Sequence, residues 1–89
     1  MTSLCINYAR AMWTADDVKI VFNNILGENI VSTVEESNKT DYKSFIVHFS
    51  SSNALLDQWV SRINIDGFLI MPIDKKGAER YWKLLECAR

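Results

Sequence analysis

The chain reads as an α+β sandwich of order βαββαβ, a four-stranded antiparallel sheet with two helices on one face, followed by a C-terminal helix. Three observations carry this. Four short segments alternate or are rich in β-branched residues, two amphipathic helical stripes separate them, and 89 residues suffice for one core. We read residues 1–89 as one domain, with the βαββαβ core over 3–74 and the terminal helix over 75–89.

Leu4-Cys5-Ile6-Asn7-Tyr8 alternates at period two, with Leu4, Ile6 and Tyr8 on one face and Cys5 and Asn7 on the other. Thr14 followed three residues later by Asp17 makes a capping-box-like helix start, and Asp16 and Asp17 suit the positive helix end. Val18, Val21, Phe22, Ile25 and Leu26 form a single apolar stripe, and Gly27 ends the helix by supplying a left-handed conformation. Ile30-Val31-Ser32-Thr33-Val34 is the second strand, and residues 36–41 are a polar turn or loop. Tyr42 to Phe49 is the third, with Phe45, Val47 and Phe49 on its apolar face.

Ser50, Ser51, Ser52 and Asn53 offer caps to a second helix with the stripe Leu55, Leu56, Trp59, Val60 and Ile63. Asp66-Gly67 turns the chain into Phe68-Leu69-Ile70-Met71-Pro72-Ile73, the fourth strand. Pro72 has no N–H for a ladder, so that strand belongs at a sheet edge. Beyond Lys75-Lys76-Gly77, the spacing of Tyr81, Leu84, Leu85 and Ala88 predicts the terminal helix. Right-handed crossovers for the two βαβ units give a ferredoxin-like layout.

Composition excludes several classes. The chain is 48% apolar and 24% charged, as an ordinary globular protein is, and no apolar run approaches the ~20 residues of a spanning helix. The first residues have no signal-peptide pattern. Cys5 and Cys87 make no disulfide framework and lack companion ligands at metal spacing, so free thiols, an intracellular location and no cofactor are expected. A membrane and a small-molecule substrate are not expected partners. His48 is the single histidine, and one histidine in mid-strand defines no Ser/His/Asp or Cys/His constellation, so no enzyme is expected.

The net charge of −1 is a poor start for neutralising phosphates. Residues 74–89 nevertheless hold five cations against three acids, a net +2, which leaves −3 on the remainder. Lys75, Lys76, Arg80 and Lys83, with Lys43, are the candidate phosphate contacts.

Over residues 3–74 the chain resembles the RNA-recognition-motif family. Leu4 to Ala9 stands where that family has its first-strand hexapeptide and Tyr42 to Phe49 where it has its third-strand octapeptide. The resemblance implies that Cys5, Ser44 and Ile46 occupy outward positions that usually carry base-stacking aromatics. Each such platform is worth roughly 1–3 kcal/mol per base. Tyr42 replaces the usual basic residue and Lys43 the usual glycine. A looser resemblance, on Ser3 to Tyr8, Phe45 to Phe49, Tyr81-Trp82-Lys83 and Cys87-Ala88-Arg89, is to small RRM-like proteins of large cytoplasmic DNA viruses, which implies an intracellular viral protein.

Two functional expectations stand. One is a protein-interaction module, adaptor or structural component, binding another protein or itself through the sheet face, the helix surfaces, or anchors drawn from Trp13, Tyr81, Trp82 and Leu85. The other is single-stranded RNA binding through Cys5, Asn7, Tyr42, Ser44, Ile46 and His48 with the basic tail.

Overall fold

The protein, seen in a computed structural model, is described over residues 3–76 and 79–87, with side chains over 3–73 and 81–87. Seven elements follow in order: β1 (Ser3–Arg10), α1 (Ala15–Leu26), β2 (Val31–Asn38), β3 (Tyr42–Phe49), α2 (Ala54–Asp66), β4 (Leu69–Lys76) and β5 (Glu79–Glu86). The five strands form one antiparallel sheet in the order β2-β3-β1-β5-β4. The α+β class and two helices match the expectation, whereas the strand count is five rather than four.

The difference lies in the last segment. Where helical spacing predicts a helix over 75–89, residues 79–86 form a strand that pairs with β4 on one side and β1 on the other. Tyr81, Leu84 and Leu85 fit a helical stripe, but Tyr81-Trp82-Lys83-Leu84-Leu85 also alternates, and the structure follows the alternation. Trp82 and Leu84 are buried while Tyr81 and Lys83 are exposed. An isolated helix of this length is marginal, whereas strand pairing at the open edge of β1 satisfies its backbone groups. Gly77, Ala88 and Arg89 lie outside the described residues.

Local chemistry sets the helix ends. Thr14 caps α1 with the full capping box: its hydroxyl accepts from the Asp17 amide at 3.2 Å and the Asp17 carboxylate accepts from the Thr14 amide at 3.1 Å. Gly27 ends α1 at φ +107° with ψ 161°, a positive φ but not the left-handed helical conformation expected. Among the cap candidates before α2, Asn53 is the one used, accepting from the Leu56 amide at 2.9 Å. Its amide also donates to the Leu26 carbonyl at 2.7 Å, tying the end of α1 to the start of α2. Gly67 closes α2 in the left-handed region.

One core joins helices and sheet. Val18, Phe22 and Leu26 of α1 and Leu56 and Ile63 of α2 meet Leu4, Ile6, Ala9, Val31, Phe45, Val47, Phe49, Met71, Trp82 and Leu84. Val21, Trp59 and Val60 pack against its margin, while Ile25 and Leu55 of the predicted stripes are exposed. The Phe22 ring lies 6.1 Å from Phe49 and 6.2 Å from Trp59. The fourth strand is an edge, as Pro72 requires, but it is the outermost strand beyond β5 rather than the neighbour of β1.

A candidate binding site on the open sheet face

Because side chains alternate across a strand, the residues between the core positions point away from both helices. In β3 these are Tyr42, Ser44, Ile46 and His48, all half-buried. Register places Ser3 beside His48, Cys5 beside Ile46 and Arg10 beside Tyr42 in β1, and Leu85 beside Cys5 in β5. Ile70 and Pro72 of β4 pair with Lys83 and Tyr81. The candidates Cys5, Asn7, Tyr42, Ser44, Ile46 and His48 thus share a face with Tyr81 and Leu85.

This face is apolar for an exposed surface. Ile46, Cys5 and Leu85 stand side by side on adjacent strands, flanked by exposed Phe68, Ile70 and Tyr81. The Lys83 ammonium lies 4.7 Å from the centroid of the Phe68 ring, so the lysine of the expected basic tail whose side chain is described is drawn over an aromatic.

Tyr8 is a correction. Strict alternation puts it on the core side with Leu4 and Ile6, but the pairing of β1 with β3 shifts register between Ile6 and Ala9. Such an irregularity turns the following side chains over, so Ala9 is buried and Tyr8 is 52% exposed. Its ring lies 5.1 Å from that of Tyr42, giving the open face an aromatic pair.

Trp13 and Trp82 are the opposite correction. As surface anchors they would be exposed; both are buried, at 3% and 1%, with rings in an edge contact at 4.8 Å. Sequence alone gives tryptophan equal claim to a core and to an interface, and here the core takes both.

Lys43 sits at 16% exposure on the helix side of the sheet. Its ammonium donates to the Trp13 carbonyl at 2.7 Å and pairs with Glu36 at 3.1 Å. Glu36 also accepts from the Ala15 amide at 3.1 Å, so the lysine holds the start of α1 onto β2 and β3. The side chains of Lys75, Lys76 and Arg80 lie outside the described part.

His48 has partners that the sequence does not place together. Its Nδ1 is 2.8 Å from the Ser3 hydroxyl and its Nε2 contacts the Glu35 carboxylate. This is a serine–histidine–acid chain, formed because β1, β3 and β2 are neighbours. A nucleophilic serine also needs a substrate cleft and donors for the developing oxyanion. The described cavities lie elsewhere, on the outer sides of the helices and between α1 and β4. The two contacts orient the imidazole on the face. Among the described residues, no group of three or more His, Cys, Asp or Glu is placed to hold a metal, and no helix is long and apolar enough to cross a membrane. No family model, curated protein or solved structure matches the chain.

Proposed function

We propose that the protein is a non-enzymatic, intracellular binding module of ferredoxin-like, RRM-like type that uses its open sheet face to bind protein. The observation that carries this is the in-register row Ile46, Cys5, Leu85, extended by exposed Phe68, Ile70 and Tyr81 on the side that carries no helix. Contiguous apolar surface of this kind on a small domain serves association. A photo-crosslinking residue at position 46 is expected to capture a defined protein in cells, while the same residue at position 20 on α1 is not. Equal capture from both positions, or none from 46, would overturn the reading.

Single-stranded nucleic acid is the second reading, favoured by the Tyr8–Tyr42 pair with Arg10 opposite Tyr42. Stacking at roughly 1–3 kcal/mol per base predicts about tenfold weaker binding of mixed-sequence single strands for Tyr42→Ala, with affinity falling steeply as salt rises. Absence of binding at low salt removes this reading.

A further inference from the structure

We propose that the partner of the sheet face is a second copy of this chain, stacked face to face about a two-fold axis parallel to β1; this rests on the reading of that face as a protein-binding surface. The face carries a row of side chains that is complementary to its own reverse. Glu35 of β2 pairs with Ile46 of β3, Ile46 with Cys5 of β1, and Cys5 with Leu85 of β5. At the far end the Lys83 ammonium lies over the Phe68 ring. The row therefore runs from an anion, through three apolar groups, to an aromatic ring with a cation drawn over it from β5.

A half-turn about an axis along β1 reverses the order of the strands and keeps each residue's height along them. Cys5 then faces Cys5 of the second copy, Ile46 faces Leu85, and Glu35 faces the Lys83–Phe68 end. A two-fold axis across the strands would instead set Glu35 on Glu35 and Lys83 on Lys83, which costs energy. The charges thus select one of the two isologous ways of stacking the sheets. Two sheets packed in this manner lie about 10 Å apart with strands within about 30°, close enough for the row to interdigitate near the axis. Five strands of eight residues, at ~4.8 Å spacing and ~27 Å length, cover roughly 500–650 Å² per copy. That lies below the ~800 Å² per partner of a standard interface, so the dimer is weak and concentration-dependent.

Sedimentation of the full chain, from about 1 to 500 µM at low salt, is expected to pass from monomer to dimer. Glu35→Lys and Lys83→Glu should each raise the dissociation constant roughly tenfold or more, and the double variant E35K/K83E should restore it. Glu35 also contacts His48, so the rescue rather than the single loss is decisive. In a Cys87→Ser background, a short bis-maleimide should join Cys5 to Cys5 and give a covalent dimer. A wild-type chain that stays monomeric overturns the second-copy inference, even where position 46 captures another protein and the sheet-face reading stands. A dimer that ignores both charge reversals, or that the double variant fails to restore, overturns the proposed axis. A dimer crosslinked through position 20 and not through 46 overturns both readings.

Discussion

Replacing Trp82 by alanine tests the assignment of residues 79–86 to a strand, because strand and helix give opposite answers at Tyr81 and Trp82. In the structure Trp82 is 1% exposed and its ring meets Trp13 edge-on at 4.8 Å, whereas Tyr81 is 57% exposed. A helix with Tyr81, Leu84 and Leu85 facing the core would expose Trp82 instead. Truncating a buried tryptophan costs about 3–5 kcal/mol. Domains of this size have about 5–15 kcal/mol in all, so Trp82→Ala should remove about a fifth or more of the stability. With a urea dependence of about 1 kcal/mol per molar, the midpoint should fall by about 3–5 M. Tyr81→Ala, at an exposed position, should stay within about 0.5 kcal/mol of wild type. If Trp82→Ala leaves too little folded protein to titrate, Trp82→Phe supplies the measurement. It loses the packing of the larger ring, and removing the buried Trp82 Nε1, which has no hydrogen-bond partner, offsets part of that cost, so a net loss of about 1 kcal/mol is expected. Circular dichroism during urea titration reads all three variants. A Tyr81→Ala loss exceeding that of the Trp82 variants would refute the strand.

Thr14→Ala removes the capping box of α1 and should cost about 1 kcal/mol, seen as a lower urea midpoint with unchanged slope. Gly67→Ala should cost about 1–2 kcal/mol from the backbone alone, because φ is +88° while nothing lies within 4 Å of the added Cβ. Lys43→Met leaves the Trp13 carbonyl and Glu36 without their cation and should cost about 1–3 kcal/mol. A double-mutant cycle with Glu36→Gln should show coupling, and additive losses would show that the two side chains act separately.

Local features were legible in the sequence, and features set by pairing were not. Thr14 and Asp17 meet within one helical turn, so their spacing alone predicts the capping box that forms. Pro72 lacks a ladder donor wherever its strand lies, so the edge position followed from one residue. The core face of β3 followed from alternation over eight residues without a break. Tyr8 failed because the register shift after Ile6 is fixed by how β1 lies against β3, and a one-residue change moves a side chain to the other face. The last element failed because five residues of Tyr81 to Leu85 satisfy both periods, and only the open edge of β1 decides between them. Ser3, Glu35 and His48 are far apart in sequence and meet only through the strand order.

The placement of β5 also determines what the open face can do. A terminal helix folded over the sheet would have covered Cys5 and Ile46; a strand beside β1 instead widens the face and adds Leu85, Lys83 and Tyr81 to it. Association by edge pairing is disfavoured at both sides of this wider sheet. On β4, Pro72 offers no N–H, and on β2 the successive carboxylates Glu35 and Glu36 would be brought against those of a matching edge. Two copies meeting edge to edge along β2 in matching register would bring like charges together. Stacking across the faces instead sets the Glu35 carboxylate against the Lys83 ammonium and covers the apolar row between them. Edges that resist pairing and a row that complements its own reverse therefore point to the same surface.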